Sequence, residues 1–174
     1  MPGAASHAVP DLFPVPLGWW AFPKGTAMHT AHDLTIRWRI DRDNRDLIRI
    51  DERCYLDPLT HNDLIAMLRD RNVISVVAED RGHVLGYVIY RLSRWRIEIL
   101  RMGVDPIERR CGVGTAMLQR LKDKLSHQRR DTLRVDVPGM SLAAQLCLQR
   151  CGFVGESRPG DVIRFEFHLE ADND

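Results

Sequence analysis

The sequence predicts a mixed α+β domain with a mostly antiparallel central sheet and about four flanking helices, and three observations carry that prediction. Runs with the two-residue period of strands recur from Leu34 onward. Stretches with helical spacing separate them, but not after every strand. The resulting order, β-α-α-β-β-β-α-β-α-β-β, lacks the regular alternation of a doubly wound dinucleotide domain.

Each element has its own signal. Leu34 to Ile40 alternates apolar and polar residues, as a half-buried strand does. Asp43 is placed to cap a helix carrying Leu47, Ile50 and Cys54 on one face. A second helix starts at Thr60, where Thr60 and Asp63 form a capping-box pattern and Leu59 and Leu64 occupy hydrophobic-staple positions. Three strand-like runs follow, Val73 to Glu79, Val84 to Leu92 and Trp95 to Val104, with Asp80-Arg81-Gly82 as a turn between the first two. The third is apolar on both faces, which predicts a central position. A polar loop, Asp105 to Arg110, leads to a helix from Gly112 with Val113, Met117, Leu121 and Leu125 in register. Leu133, Val135 and Val137 mark a further strand, Ser141 to Arg150 a short helix with Gly152 at its left-handed exit, and Phe153 and Val162 to His168 two closing strands.

Composition narrows the function classes. The chain has 174 residues and a net charge of +1, which gives no global attraction to nucleic acid or an anionic membrane. No apolar run approaches the roughly 18 residues of a membrane helix. Cys54, Cys111, Cys147 and Cys151 have neither zinc-ligand spacing nor the density of a disulfide scaffold, so no metal and a cytoplasmic location are expected. Residues 1–32 are rich in Pro and Gly and read as an N-terminal tail, although Leu17 to Phe22 is unusually apolar for one. The domain is expected over residues 33–170, with 171–174 as a C-terminal tail. His29 and His32 lack the companions of a metal site.

Arg109-Arg110-Cys111-Gly112-Val113-Gly114-Thr115 carries the first chemistry. A glycine-rich turn opening a helix gathers unpaired backbone N–H groups at the positive end of the helix dipole, where a diphosphate binds well. A dinucleotide fingerprint is the rival reading, with Asp131 as the downstream acid. Against it, Met117 stands in place of the third glycine, and the loop from Asp105 to Cys111 separates strand from turn. No Gly-Lys-Ser/Thr is present. From Arg91 to Arg134 there are twelve Arg or Lys against five Asp or Glu, a local +7 suited to a polyphosphate. A nucleic-acid face would need stacking aromatics, and this segment has only Trp95.

Arg109-x-x-Gly112-x-Gly114 resembles the Gln/Arg-x-x-Gly-x-Gly/Ala signature of the Gcn5-related N-acetyltransferase (GNAT) family. Val104-Asp105-Pro106 and Gly152-Phe153 are similar to its motifs at the end of the fourth strand and after the last helix. The resemblance implies a sheet splayed between strands 4 and 5 and acetyl-CoA as co-substrate. It implies that Arg109 to Thr115, with Ser141, hold the CoA pyrophosphate end, and that Met102, Gly103 and Val104 pair with pantetheine.

Acetyl transfer to an amine needs a base for the amine proton. Glu98 is the first candidate; it lies eleven residues before Arg109, where the resemblance puts a glutamate. Strict alternation would place it on one strand face with Leu100, Met102 and Val104, where desolvation raises a carboxyl pKa. Pairing with Arg96 or Arg101 is the alternative. Asp136 is the second candidate, similar in position to a glutamate of the ribosomal-protein alanine N-acetyltransferase (RimI-type) branch, with helix capping near Ser141 as its alternative. That branch carries a proton-donating tyrosine on its last helix, where this chain has Leu148, and no tyrosine follows Tyr90. Cys147 and Cys151 read as packing residues, as do Tyr87 and Tyr90.

Cys54-Tyr55-Leu56-Asp57-Pro58-Leu59-Thr60 resembles the segment of that branch that helps form the acceptor cleft for a protein N-terminus. An α-amine is also easier to deprotonate than lysine. A peptide or protein amine is therefore the expected acceptor. A small-molecule amine, or a non-catalytic acyl-CoA sensor, is the alternative.

Overall fold

The computed structural model describes residues 34–169. The tail readings, including Leu17 to Phe22, His29 and His32, and residues 171–174, lie outside the described residues. The order of elements matches the sequence reading: β1 (Thr35–Trp38), α1 (Asn44–Cys54), α2 (His61–Leu68), β2 (Val73–Asp80), β3 (His83–Leu92), β4 (Arg96–Val104), α3 (Val113–Lys122), β5 (Thr132–Pro138), α4 (Leu142–Arg150), β6 (Val154–Arg158) and β7 (Val162–His168). The strands form one sheet in the order β1-β2-β3-β4-β5-β7-β6. Neighbours are antiparallel except β4 and β5, which run parallel. The strand with two apolar faces, β4, is central.

Two cores lie on opposite faces of the sheet. Val88, Ile97, Ile99, Leu133 and Phe165 pack with Val113, Met117 and Leu121 of α3 and Leu148 of α4. On the other face Val77, Tyr87 and Ile89 pack with Leu47 and Ile50 of α1 and Leu64 of α2. At α2, the Thr60 hydroxyl accepts from the Asp63 N–H at 3.2 Å and the Asp63 carboxylate accepts from the Thr60 N–H at 3.0 Å, closing the capping box. Asp43 stands at the N-cap of α1, as expected, but its side chain makes no cap bond to the helix. Its carboxylate accepts from the Ile40 N–H at 2.8 Å and from Arg37 at 2.7 Å, because a 3-10 turn over Asp41–Asp43 precedes the helix.

Gly103 is where α1 meets β4. A Cβ at this position would lie 2.7 Å from Cε1 of Tyr87 and 3.2 Å from Cγ2 of Ile50, so only glycine permits the approach.

Candidate active site

The site arises where the central ladder stops. The four rungs between β4 and β5 run from Arg96–Thr132 to Ile99–Val135. Beyond them β4 pairs only with β3, and Asp136 to Pro138 pair only with β7. The two parallel strands therefore part after Ile99, leaving the edge of β4 without a strand partner.

A β-bulge shapes that edge. Ile89 pairs with Arg101 and Tyr90 with Ile99, so Leu100 is left without a partner. Ile97 and Ile99 face α3, while Leu100 packs with the α1 core. After the bulge Met102 and Val104 pack on the α3 side, and the Arg101 guanidinium reaches Asp51 of α1. The shared face expected for Glu98, Leu100, Met102 and Val104 is thus corrected: the extra residue moves Met102 and Val104 to the face opposite Leu100.

The glycine loop joins this edge. Arg110 and Gly112 have left-handed backbones, φ 65° and 83°, and Gly112 is the N-cap of α3. A Cβ on Gly112 would meet nothing within 4 Å, so it is the positive φ that calls for glycine. The first helical bond runs from the Ala116 N–H to the Gly112 carbonyl, which leaves the N–H groups of Val113, Gly114 and Thr115 without intrahelical acceptors. Gly114 touches both walls, since a Cβ there would lie 3.6 Å from Met102 Cε, 3.7 Å from Val104 Cγ2 and 3.7 Å from Cys147 Sγ. The structure thereby brings Met102, Val104 and Gly114 together. Arg109 braces the loop, donating to the Val104 carbonyl at 3.5 Å and to Cys54 Sγ at 3.4 Å. The Cys111 thiol donates to the Arg109 carbonyl at 3.6 Å. Ser141 precedes α4 without a side-chain cap bond, and the Cys147 thiol beneath the loop is pushed up by burial and by Cys151. Leu148 is buried in the α3-side core.

The carboxylates sit differently. Glu98 lies one rung before the strands part, opposite Arg134, and accepts from Arg96. Asp136 is the first β5 residue past the ladder, but Arg164 holds its carboxylate with two hydrogen bonds of 2.8 Å. That pairing outweighs partial burial and keeps its pKa below the usual carboxylate range.

A buried polar cluster was not legible in the sequence. Asp51, 1% exposed, accepts from Arg101 Nε at 2.8 Å, Arg101 Nη2 at 2.7 Å, the Leu59 N–H at 2.6 Å and the Tyr87 hydroxyl. Burial pushes its pKa up, but Arg101, Tyr87 and the Leu59 amide together bring it down. Arg101 also donates to the Asp57 carbonyl at 2.6 Å and lies 3.7 Å over the Tyr55 ring. Tyr55 extends from the end of α1 to β4, where its hydroxyl donates to the Met102 carbonyl at 2.7 Å and stands 3.4 Å from the Met102 N. Among the described residues no group of three or more His, Cys, Asp or Glu is placed to hold a metal, and no helix is long and apolar enough to cross a membrane.

Comparison with known proteins agrees with this architecture. L-2,4-diaminobutyric acid acetyltransferase of Nocardia farcinica is 32% identical over 128 residues, which span 70% of this chain and 62% of that protein's length. The ribosomal-protein-S18-alanine N-acetyltransferase of Escherichia coli has a similar fold, with TM-score 0.66 and 19% identity over 80% of this chain and 97% of that one. Ard1 of Thermoplasma volcanium superposes with TM-score 0.70 and 21% identity, over 80% of this chain and 99% of that one. The family model for the acetyltransferase (GNAT) family matches residues 40–153, and the chain belongs to that family.

Proposed function

We propose that the protein transfers an acetyl group from acetyl-CoA to a primary amine. The observation that carries this reading is a continuous path: the β4 edge freed beyond Ile99 leads to the unpaired amides of Val113, Gly114 and Thr115. An extended amide-bearing chain suits the first and a diphosphate the second. Met102 and Val104 would present their backbone to pantetheine, with Gly103 between them. Arg109 to Thr115, with Ser141, would form the pyrophosphate end, where Val113 offers only its backbone because its side chain is buried. Glu98 is the base, directly or through water, since Asp136 is tied to Arg164 and is the weaker proton acceptor.

The acceptor is a peptide or protein N-terminal amine, in a RimI-type arrangement with residues 55–60 as one wall. Beside the opening, the sheet face opposite α3 carries Arg134 paired with Glu166 and Asp136 paired with Arg164, a floor of alternating charge that suits a polar peptide end. A second reading, a small amino acid bearing a free amine, is favoured by the likeness to a diaminobutyric acid acetyltransferase. The four cysteines are free thiols, which suits a reducing cytoplasm.

Calorimetric titration with acetyl-CoA, followed by thiol release against N-terminal peptides, diaminobutyrate and simple amines, tests both readings. Amine-dependent release is expected, and the best acceptor chooses between them. Binding without release across the panel would favour a sensor, and no binding would sink the proposal.

A further inference from the structure

We propose that Tyr55 is the proton donor to the departing CoA sulfur, supplying what Leu148 cannot. The proposal rests on the acetyl-transfer reading above. A thioester that gives up its acyl group expels a thiolate, and a donor near the β4 edge eases that departure. Leu148 is buried in the core and has no proton to give. Tyr55 reaches the edge from the opposite side, its hydroxyl 2.7 Å from the Met102 carbonyl.

Three features prepare Tyr55 for this role. First, the residue is fixed. α1 ends at Cys54, the Tyr55 N–H bonds the Asp51 carbonyl at 3.0 Å, and the ring lies under Arg101. Arg101 is itself clamped by Asp51 and the Asp57 carbonyl, so the arrangement is braced from both α1 and the loop. Second, the hydroxyl stays protonated at neutral pH: burial pushes its pKa up, against the lowering effects of the Met102 backbone and Arg101 and with Asp51 and Cys54 adding to the rise. Third, the guanidinium 3.7 Å from the ring centre offsets negative charge on the phenolate once the proton has gone. The competing donors are placed less well. The Cys54 thiol is engaged with the Val104 carbonyl at 3.4 Å and receives Arg109 at 3.4 Å, and Cys147 packs beneath the glycine loop.

In the step itself, the amine nitrogen bonds to the acyl carbon and the acyl carbon–sulfur bond breaks with its electron pair on sulfur. Sulfur takes the Tyr55 proton, the amine proton goes to Glu98 or water, and solvent reprotonates the phenolate. The sulfur replaces the Met102 carbonyl as the hydroxyl's acceptor.

Tyr55→Phe keeps the ring under Arg101 and removes only the donor, so its melting temperature is the control for folding. Three readouts are needed: the acetyl-CoA Kd by calorimetry, kcat by thiol release, and the ultraviolet thiolate band of bound CoA as a function of pH. We expect kcat to fall roughly 100-fold while Kd changes only a few-fold. The thiolate band of bound CoA should appear at higher pH in the variant, because the hydroxyl no longer stabilises the anion. An unchanged kcat overturns the proposal, whatever happens to Kd; tighter binding alongside it would make Tyr55 only a plug on the β4 edge. A fall in kcat with an unmoved thiolate band also overturns it. Failure of the wild type to release thiol would sink the acetyl-transfer reading instead, and the band in the binary complex would still report whether Tyr55 meets the sulfur.

Discussion

Glu98 and Asp136 are both strand carboxylates beside the opening, and their partners separate them. Arg164 grips both oxygens of Asp136, whereas Glu98 accepts from Arg96 on its own strand and lies across from Arg91 and Arg134. A carboxylate held below its usual pKa range is a weak proton acceptor, so the two should respond differently to the same change. Glu98→Gln is expected to lower kcat by roughly 100-fold with the acetyl-CoA Kd unchanged, and Asp136→Asn to have a much smaller effect. Steady-state kinetics with parallel calorimetry decide it, and equal losses would return the base role to an open choice. The sequence marked both carboxylates by their places in strands and by a resemblance to glutamates of related acetyltransferases. It held no sign of Arg164, which comes from a strand 28 positions further on. Tyr55 was similarly hidden. Its loop was legible as a resemblance, but its contact with Met102, 47 positions away, exists only once α1 is packed on the sheet.

At the scale of elements, strand periodicity predicted β4 correctly and misplaced its second half. Alternation along a strand has no symbol for an added residue, so the bulge at Leu100 inverted the faces of everything after it. The inversion turns Arg101 toward Asp51 and Tyr55. The helix starts were more legible. The Thr60 capping box and the Gly112 turn are local chemistry and needed no partner to be recognised. Packing of α1 on β4 depends on Gly103, and Gly103→Ala must push Tyr87 or Ile50 aside. Denaturant unfolding should show a loss of about 1–3 kcal/mol, typical of an overpacked core. A neutral result would mean that α1 is free to shift and that the cluster around Asp51 is less tightly held than its hydrogen bonds imply.

Over the whole molecule, the sheet is two sections joined by the four rungs between β4 and β5. The section from β1 to β4 carries α1 and α2 on one face, and the glycine loop of α3 abuts the end of its last strand. The section formed by β5, β7 and β6 supplies the charged floor. Hydrogen exchange should reflect this arrangement. Acetyl-CoA is expected to slow exchange in peptides covering Leu100 to Val104 and Gly112 to Thr115, and to leave Thr35 to Trp38 unchanged. Protection absent from Gly112 to Thr115 would move the diphosphate elsewhere.

The end of the central ladder also bears on how such a protein diversifies. The wall that would handle the nucleotide ends at the α3 turn, while the wall that would meet the amine is a short loop pinned by Arg101 and Asp51. Side-chain changes in residues 56–60 can redraw the clientele while Tyr55 and the shared donor machinery are kept. Two lineages can therefore keep the same fold and the same loop at 109–115 while acetylating unrelated compounds. Ancestry, read from that loop, is a poor guide to diet.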